Sequence, residues 1–342
     1  MGKLTIRELA QAAGVSIATA SYVLNNKPGK VSDATRQKVL DLARELGFRP
    51  NPHASQLRGS SRTLLVLLPE SEDPVRLRGI LMDCPFFNEF IAGVEHAAYD
   101  QDLQIAFVRV EQGDQIRQLR QGATPAGVLV LGKHSRETLA DLEAWQAPVL
   151  VVDDKGYFAD HPTAGLQDYS QDDARLGELA ADHLLSLGHR KLVLLFGPLE
   201  QSVVHKERLL GVRRALQHHG VPFHSEDLLE AEVTLDGVAA VAGAIEQKLA
   251  QGATAILAMA DIMAVACFKH LFTLGYRIPE QVSLMGIDNL HILNYLPLRL
   301  TTVGQDVFGR GYQAVCQLQG QPLSPSPATL IPGQSTGPVP IG

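Results

Sequence analysis

The chain has 342 residues, of which 45% are hydrophobic and 20% are charged, and its formal net charge at pH 7 is −7. This composition is typical of globular domains with buried cores, and the length favours two or three folded units. No apolar run reaches the roughly 20 residues that a membrane-spanning helix needs, and the start "MGKLTIRELA" lacks the apolar run of a signal peptide. The cysteines form no CxxC pair, so we expect a reducing, cytoplasmic location without a disulfide or zinc framework. They are Cys84, Cys267 and Cys316.

The charge is unevenly distributed along the chain. Residues 1–62 contain ten Lys or Arg and four acidic residues, a net +6, which leaves −13 for the remainder. A basic segment ahead of an acidic body indicates that the segment meets a polyanion. A basic surface that only faces solvent is the alternative.

The basic segment begins with a pattern of three short helices. Thr5 and Glu8 have the T-x-x-E spacing of a capping box, so a first helix should begin there. Gly14 ends it, because glycine readily takes the left-handed conformation of a sharp turn. Ser16 then caps a second helix and Ser32 a third. Two short helices joined by a Gly-containing turn, with a third as support, predict a helix-turn-helix unit.

The second helix, "IATASYVLNN", has small polar side chains near its N-terminus. A helix of this shape fits the major groove of DNA, where it would bring Thr19 and its neighbours to the base edges. A three-helix bundle without a nucleic-acid role is the alternative.

The segment "RPNPHASQLRGSSR" follows this unit. Asn51 can cap a helix and Pro52 suits its first turn, so a short helix through Arg58 is predicted. Such a short, polar helix is not stable alone. Leu57 has no evident core to join and could wedge between base steps in the minor groove. A plain linker is the alternative.

The stretch from "TIRELAQAAGVSIATASYVLNN" to "KVSDATRQKVLDLARELGFRPNPHASQLR" resembles the DNA-binding head and hinge of the LacI/GalR family of bacterial repressors. The resemblance implies operator DNA as a partner, and a homodimer is expected because such heads read two half-sites. The implied DNA contacts are Thr5, Ser16, Ile17, Ala18, Thr19, Ser21, Tyr22 and Asn25 in the head and Ala54 and Leu57 in the hinge. The family commonly has Arg at the position of Tyr22. A phenol cannot make the bidentate contact with guanine that Arg makes, so the bases preferred there do not follow from the resemblance.

From Thr63 onward, short and continuously apolar runs alternate with amphipathic stretches. Such runs are typical of parallel strands, because both faces of these strands are buried. The alternation restarts after about Gln167, which predicts an α/β body of two doubly wound lobes with a ligand cleft at the carboxyl ends of the strands. The predicted strands include "TLLVLL", "LQIAFVRV", "GVLVLG", "PVLVVDD", "KLVLLFG", "TAILAMA" and "VSLMGID", and the predicted helices include residues 203–219, 236–250 and 261–274.

The segments "GPLEQSVVHKERLLG", "ADIMAVACFKHLFTLGYRIPEQVSLMGIDN" and "LTTVGQDV" resemble the effector-binding lobes of the same family, which are similar to periplasmic sugar-binding proteins. The resemblance implies an N-terminal all-α helix-turn-helix head, a hinge helix, and an α/β two-lobe, periplasmic-binding-protein-like domain. The implied bounds are 1–49 for the DNA-binding domain, 50–62 for the hinge helix and linker, and 63–342 for the effector-binding and dimerisation domain. Within the last, lobe 1 is expected at about 63–161 and 294–325, and lobe 2 at about 162–293 and 326–342.

Polar residues at predicted strand ends are the first candidates for effector contacts. Asp153 and Asp288 end strands, and each matches a family position that contacts the effector. Gln305 after "TTVG" and Arg208 in "RLLG" match such positions as well. Carboxylates can accept hydrogen bonds from ligand hydroxyls, and Arg supplies a planar fork of donors.

Aromatic residues and departures from the family pattern complete the candidate pocket. Phe86 and Phe87 could stack on a ligand ring, with core packing as the alternative. Many sugar-sensing relatives have Asn where this chain has Ala260, and Asp261 is predicted to be a helix N-cap. The stretch "ESEDPVRLRGILMD" (70–83) is longer than the usual loop.

Enzyme motifs are not evident. "GVLVLGKH" nearly spells a phosphate-binding loop, but His134 replaces the hydroxyl residue and the intervening residues form a predicted strand. The twelve histidines show no ligand spacing, and the adjacent His218 and His219 are predicted to be exposed polar residues.

The predicted function is that of a ligand-responsive transcriptional regulator, expected to be a repressor. It has no expected enzymatic activity, cofactor, metal or membrane partner, and its expected effector is a sugar, a sugar derivative or another small metabolite. A small-molecule binding protein of the solute-binding type, without a DNA role, is the alternative.

Overall fold

The structure is a computed structural model that describes residues 6–24, 30–45, 62–69, 84–110, 114–120, 124–160, 165–322 and 326–340. The chain divides into two compact units, which we call the head (residues 1–61 with 118–124) and the body (62–117 with 125–342). In the described residues, no helix is long and apolar enough to cross a membrane.

Within residues 1–61, the described part of the head contains three helices. They are α1 (Ile6–Ala13), α2 (Ile17–Leu24) and α3 (Asp33–Glu45). Gly14 joins α1 to α2 with a φ of +65°, as the turn prediction requires. Ser16 caps α2, because its Oγ accepts a hydrogen bond from the Thr19 N–H at 3.0 Å. The predicted helix-turn-helix is therefore present.

One small apolar core holds the three helices of the head together. Each helix contributes from one face, as the spacing of apolar residues predicts. Leu9 of α1 and Val39 of α3 are fully buried, and Val23 of α2 is 2% exposed. Together with several alanines, these residues make the core that fixes the angle between α1 and α2.

The described residues of the body form two β-sheets, and the first is entirely parallel with the order β2-β1-β3-β4-β5. Its strands are β1 (Thr63–Leu68), β2 (Gln104–Arg109), β3 (Gly127–Val130), β4 (Val149–Val152) and β5 (Gln167–Tyr169). The helices between them are α4 (Pro85–Asp100), α5 (Asp114–Arg120), α6 (Arg136–Glu143) and α7 (Lys155–Asp160).

The second sheet has the order β11-β10-β9-β8-β6-β7 and is parallel except for β11, which pairs with β10 in the antiparallel direction. Its strands are β6 (Leu192–Phe196), β7 (Leu228–Glu230), β8 (Ala255–Ala258), β9 (Ser283–Asp288), β10 (Thr301–Gly304) and β11 (Thr329–Ile331). The helices of this part of the chain are α8 (Asp173–Ser186), α9 (Val203–His218), α10 (Leu235–Ala240), α11 (Ala242–Ala250), α12 (Asp261–Thr273) and α13 (Val307–Leu318).

Continuous apolar runs form these strands because both faces of each sheet are covered. In β6, Val193 and Leu195 join the core on one face of the second sheet, whereas Leu194 and Phe196 join the core on the other. Successive side chains of a strand point to opposite faces, so a strand covered on both sides must be apolar at every position. The predicted α/β body is therefore confirmed.

Each sheet carries one pair of helices in very close contact. A Cβ on Gly177 of α8 would lie 2.1 Å from the Arg208 carbonyl oxygen, and one on Gly211 of α9 would lie 1.8 Å from that of Ala174. Only glycine permits this approach of two backbones. Gly93 of α4 plays the same role against α13.

Three expectations differ from the structure. Residues 167–169 were expected in lobe 2, but they form β5, which pairs with β4 in the first sheet. The single helix predicted for residues 236–250 is two helices, because Val241 leaves the helical region with φ −106° and ψ 7°. Residues 301–304 were placed in lobe 1, but they form β10, which pairs with β9 in the second sheet. Leu290 joins the first-sheet core before β10, and the following helix, α13, packs on α4 and the same core. The chain therefore contacts the first sheet near residue 290, returns to the second sheet for β10 and crosses to the first sheet again after Gly304.

Candidate effector site and DNA-reading helix

A cavity of about 500 Å³ lies in the body between the carboxyl ends of the two sheets. The loops after β3 and β4 and the start of α4 line it on the side of the first sheet, and the starts of α9 and α12 and the end of β9 line it on the other side. Small-molecule sites have volumes of about 300–1,000 Å³. The predicted cleft is therefore present and is large enough for a small metabolite.

The structure brings most of the predicted effector residues to this cavity. Phe86, Phe87, Asp153, Arg208 and Asp288 line it. Gln305 does not, since it is 1% exposed and lies behind Asp288, to whose Oδ1 its Nε2 donates at 2.5 Å. This place in the structure gives Gln305 a positioning role in place of the predicted direct contact.

The two acidic residues at strand ends have unusual backbone conformations. Asp153 follows β4 with a φ of 58°, and Asp288 ends β9 with a φ of 122°. Residues other than glycine rarely adopt positive φ, and each such residue stores about 1–3 kcal/mol of strain. Strained residues of this kind cluster at functional sites. The turns direct both carboxylates toward the same cavity.

Arg208 is the centre of a buried charge cluster on the second-sheet side. Its Nε donates to Asp173 Oδ1 at 2.9 Å, and its Nη2 donates to Asp288 Oδ1 at 3.0 Å. Nη1 donates to the carbonyl oxygen of Met259. Because all three charged side chains are almost fully buried, each depends on the others for the charge compensation that water would otherwise supply.

Arg310 of α13 continues this network to the first sheet. Its Nη1 donates to Gln305 Oε1 at 2.5 Å, and its Nη2 donates to Asp153 Oδ1 at 2.7 Å. Since Gln305 binds Asp288 and Asp288 binds Arg208, one hydrogen-bonded chain runs from Arg208 to Asp153. Residues that face the cavity from both sheets thus belong to a single polar network, in which a change at one member affects the others.

Burial shifts the pKa values of this network. It raises the pKa of Asp173 to about 6 and also raises the pKa of Asp288, although Arg208 acts to lower both. Burial alone would lower the pKa of Arg208, but Asp288 and Asp173 hold it above its usual range. The guanidinium therefore stays charged, and the cavity offers a ligand both donors and carboxylate acceptors.

His205 also lines the second-sheet side, as a neutral group. Burial, with a contribution from Arg208, lowers the pKa of its imidazole to about 3. Its Nδ1 accepts a hydrogen bond from the Gly197 N–H at 3.2 Å, which leaves the proton on Nε2.

Sequence reasoning missed Asp173, His205 and Arg310. The run "QDDARL" contains a signal for the first of these, because a helix start needs one capping Asp and the second is surplus. The structure uses Asp172 as the cap of α8 and buries Asp173 against Arg208. Nothing local distinguishes these two roles.

Aromatic rings form part of the wall. Phe86 and Phe87 meet edge to face, with ring centroids 5.8 Å apart, and the guanidinium of Arg310 lies 5.9 Å from the centroid of Phe86. Both rings are half-buried and also pack against the core of the first sheet. Phe86 and Phe87 therefore both line the cavity and pack in the core, the two alternatives that the sequence left open.

Asp261 is not the helix N-cap that the sequence predicts. Ala260 occupies that position, and the buried Asp261 carboxylate accepts hydrogen bonds from the Leu290 N–H and the Thr302 hydroxyl, both at 2.8 Å. Burial and the charge of Asp288 raise its pKa well above the usual value. Asp261 thus fastens α12 to the segments beside the cavity without lining it.

In the head, α2 presents part of the predicted DNA-reading surface. Ile17 is 41% exposed, Ala18 is exposed, and Thr19 and Tyr22 are half-buried. Ser16 is exposed, and its Oγ lies 2.8 Å from the Thr19 hydroxyl oxygen. Ser16, Ile17 and Ala18 thus expose their side chains at the start of α2, as base contacts require.

Several predicted residues lie outside the described part of the chain. They are Thr5, Asn25, Ala54 and Leu57, together with the side chain of Ser21 and the stretch 70–83.

Comparison with known proteins identifies both units. Residues 5–51 match the model of bacterial regulatory proteins of the lacI family, and residues 181–336 match that of a periplasmic binding protein-like domain. The transcriptional repressor CytR of Escherichia coli strain K12 is 30% identical over 333 residues, which are 93% of this chain and 90% of CytR.

Solved structures agree at the level of the fold. A complex of the transcriptional regulator CelR with cellobiose has a TM-score of 0.65 and 24% identity, and the match covers 97% of this chain and 100% of the CelR chain. A Lac repressor dimer bound to operator and the anti-inducer ONPF has a TM-score of 0.64 and 24% identity, with 98% and 100% covered. Since the similarity to CytR and to both structures extends over nearly the whole chain, the protein belongs to the lacI family of bacterial regulatory proteins and is a transcriptional regulator.

Proposed function

We propose that this regulator is a cytoplasmic repressor that binds a palindromic operator as a homodimer and responds to a sugar or sugar derivative in the cavity of the body. The observation that carries the proposal is the convergence of Asp153 and Asp288, from two different sheets, on one cavity and one hydrogen-bonded network. CelR and the Lac repressor, which share the fold, have cellobiose and ONPF bound in their solved structures.

The cavity suits a hydroxylated ring. The carboxylates of Asp153 and Asp288 supply acceptors, and the remaining N–H groups of Arg208 supply donors. The rings of Phe86 and Phe87 offer an apolar surface for one face of the ligand. Small-molecule sites fix the orientation of a ligand with a few placed polar groups in a largely apolar wall.

The proposed mechanism is a shift between two arrangements of the body. A ligand that bonds with the Asp153 carboxylate competes with Arg310 for it, so the ligand favours a different set of hydrogen bonds. Coupling energies of about 1–3 kcal/mol are typical of allostery and change affinity by about 5–150-fold. We expect a change in operator affinity of this size.

DNA binding would use the head residues named above and the hinge residues Ala54 and Leu57. Leu57→Ala is expected to weaken binding to a selected operator far more than binding to random duplex, because a wedge acts only where the DNA is kinked. Fluorescence anisotropy with both duplexes measures this difference. Equal losses on the two duplexes would contradict the wedge.

The regulator as a whole can be tested in two steps. An operator is first selected from random duplexes, and its affinity is expected to fall steeply with salt because phosphate contacts release counterions. Mono- and disaccharides and nucleosides are then screened by thermal shift, since a ligand that binds only the folded state stabilises it. The ligand found should change operator affinity, and its sign identifies an inducer or a corepressor.

Variants connect the ligand to the site. Asp153→Asn should remove the thermal shift and the effect on operator affinity while leaving the operator affinity of the free protein intact. Asp236→Asn, an exposed carboxylate at the start of α10, should change neither. A solute-binding protein without a DNA role would show the thermal shift but no salt-dependent duplex binding, and an enzyme would consume the ligand.

A further inference from the structure

Two histidines and an aspartate meet on the surface of the body, where the ends of α8 and α9 lie side by side. Asp182 lies on α8, His218 is the last residue of α9, and His219 follows it. One ligand atom from each residue lies within 4.8 Å of the other two. We propose that these residues form a binding site for a divalent transition-metal ion, with Zn²⁺ as the representative ion. This site is independent of the proposed effector and DNA roles.

The three side chains already point toward one another. His219 Nε2 donates to Asp182 Oδ1 at 2.7 Å, and the rings of His218 and His219 have centroids 5.3 Å apart. A metal ion would take the place of the proton between Nε2 and Oδ1, and the neutral ring would then carry its proton on Nδ1, which leaves the Nε2 lone pair for the metal. With bonds of about 2.0–2.1 Å, tetrahedral ligand atoms of Zn²⁺ lie about 3.3 Å apart, so the His219 and Asp182 atoms must separate slightly while the His218 nitrogen adjusts to the same distance. The exposed ring of His218 has room to make this adjustment.

The backbone under the site is held firmly. Gly177 and Gly211 allow α8 and α9 to pack backbone against backbone, and a Cβ on either would overlap the neighbouring helix. Asp182 and His218 extend from the same two helices. A site that spans two rigid elements keeps its geometry better than one built on a loop.

The end of α9 also favours a cation. The last carbonyl groups of a helix carry a partial negative charge, which stabilises positive charge nearby. His219 is the residue that caps α9, with φ −85° and ψ 4°. Its ring nevertheless shares a side with that of His218, since one atom of each imidazole lies within 4.8 Å of the Asp182 carboxylate. Adjacent residues of a helix do not normally face each other, which is why the sequence alone predicts no shared site here.

The donor set selects the class of metal. Two imidazole nitrogens and one carboxylate oxygen suit Zn²⁺, Cu²⁺, Ni²⁺ and Co²⁺. Ca²⁺ and Mg²⁺ prefer oxygen ligands alone. Three protein ligands leave a fourth position of a tetrahedral ion open for water or another ligand.

The test is a Zn²⁺ titration of the full-length, untagged chain after chelator treatment, followed by isothermal titration calorimetry and by the thermal unfolding midpoint. We expect one ion per chain and a raised midpoint. Loss of a residue that only supports a ligand weakens metal binding about 10–100-fold. Removal of a ligand itself, in His218→Ala, His219→Ala or Asp182→Asn, should weaken Zn²⁺ binding at least that much.

His224→Ala removes another exposed histidine of the same region and should leave the affinity unchanged. Circular dichroism and the midpoint without metal verify that each variant is folded, which surface substitutions should permit. The proposal is overturned if Zn²⁺ fails to bind at micromolar concentration, or if the His218→Ala/His219→Ala double variant binds as well as the natural chain. It is also overturned if His224→Ala loses as much affinity as the ligand variants, since binding would then be general to surface histidines.

Discussion

The two helix pairs of the body use the same backbone packing but place their charges differently. Gly177 and Gly211 bring α8 and α9 together on the second sheet, and Gly93 does the same for α4 and α13 on the first. The pair α8 and α9 is joined by a buried ion pair between Arg208 and Asp173, whose side chains are 5% and 4% exposed.

The pair α4 and α13 has no such ion pair between its described residues that involves Arg310. Arg310 of α13 reaches away from α4 to Asp153 at the end of β4, whose side chain is 16% exposed. A carboxylate with access to water can be solvated when its partner leaves, whereas a fully buried one cannot. The second-sheet side of the cavity is therefore a fixed support, and the first-sheet side is the part that a ligand can rearrange.

The largest predicted effect distinguishes the two arginines. Arg208→Ala leaves two buried carboxylates without their cation, so it should lower the free energy of unfolding by about 3–5 kcal/mol. Arg310→Ala removes hydrogen bonds to a charged group that water can reach, for which about 1.5–3 kcal/mol is expected. Urea denaturation of both variants measures the difference. Arg214→Ala, an exposed position in α9, serves as the control and should change stability little.

Equal losses for Arg208→Ala and Arg310→Ala would contradict the distinction between a buried support and a hydrated side. A loss in Arg208→Ala that becomes smaller when Asp173→Asn is added would support it, because part of the penalty comes from the uncompensated Asp173 carboxylate and Asp288 remains uncompensated.

The helix contacts should respond alike on both sheets. Gly211→Ala and Gly93→Ala each place a methyl group within 2 Å of a carbonyl oxygen, 1.8 Å from Ala174 and 1.9 Å from Phe308. Overpacking of this kind costs about 1–3 kcal/mol or more. Gly243→Ala in α11 meets no atom within 4 Å and should be neutral or stabilising. If denaturation curves show that only one of the two helix pairs loses stability on Gly→Ala substitution, the two helix contacts are not equivalent.

The sequence predicted one of these pairs far better than the other. From α8 to α9 the chain alternates helix, strand and helix, so the sequence pattern places α8 and α9 on the same sheet. The partner of α4 is α13, more than 200 residues later in the chain, and no local pattern connects them. Only the family resemblance implied a return to the first lobe, and it placed the crossing too early, since Thr301–Gly304 pairs with β9.

The residues of the candidate site also differ in how far the sequence could predict them. Asp153 and Asp288 could be found because strand ends are recognisable and converge in such folds. Asp173 and Arg310 could not, because their burial depends on tertiary contacts that neighbouring residues do not encode. The same holds for Gln305, whose amide reaches the back of Asp288 and not the cavity.

A pH effect of intermediate size tests the buried support. Burial raises the pKa of Asp173 to about 6 in the folded chain, against about 3.9 in an unfolded one. This contribution to stability is therefore full below about pH 3.9 and is lost as the pH rises through 6. Between pH 7 and pH 5 the natural chain should gain about 1 kcal/mol relative to Asp173→Asn, because only the folded state takes up the proton.

The measurement is the free energy of unfolding at several pH values for both chains, so that the other titrating groups cancel. His205 acts in the opposite direction, since burial lowers its pKa to about 3, and its stabilising contribution decreases as the pH falls below about 6.5. Identical pH profiles for the two chains would mean that Asp173 is ionised throughout this range and that Arg208 fully offsets its burial.

The smallest effect is expected from an ion pair at the first-sheet rim of the cavity. Arg136 and Asp160 line it, and Nη2 lies 2.5 Å from Oδ2, but their side chains are 73% and 53% exposed. Exposed pairs contribute only about 0.2–1 kcal/mol. A double-mutant cycle with Arg136→Ala and Asp160→Ala should give a coupling energy in this range, and the coupling should fade near 1 M salt, where the screening length is about 3 Å.

The same cycle on Arg208 and Asp173 should give a larger coupling energy that salt hardly changes, because water and ions do not reach the pair. A rim coupling as strong and as salt-resistant as the buried one would mean that both sides of the cavity are equally rigid. There would then be no reason to assign ligand-driven rearrangement to the first-sheet side.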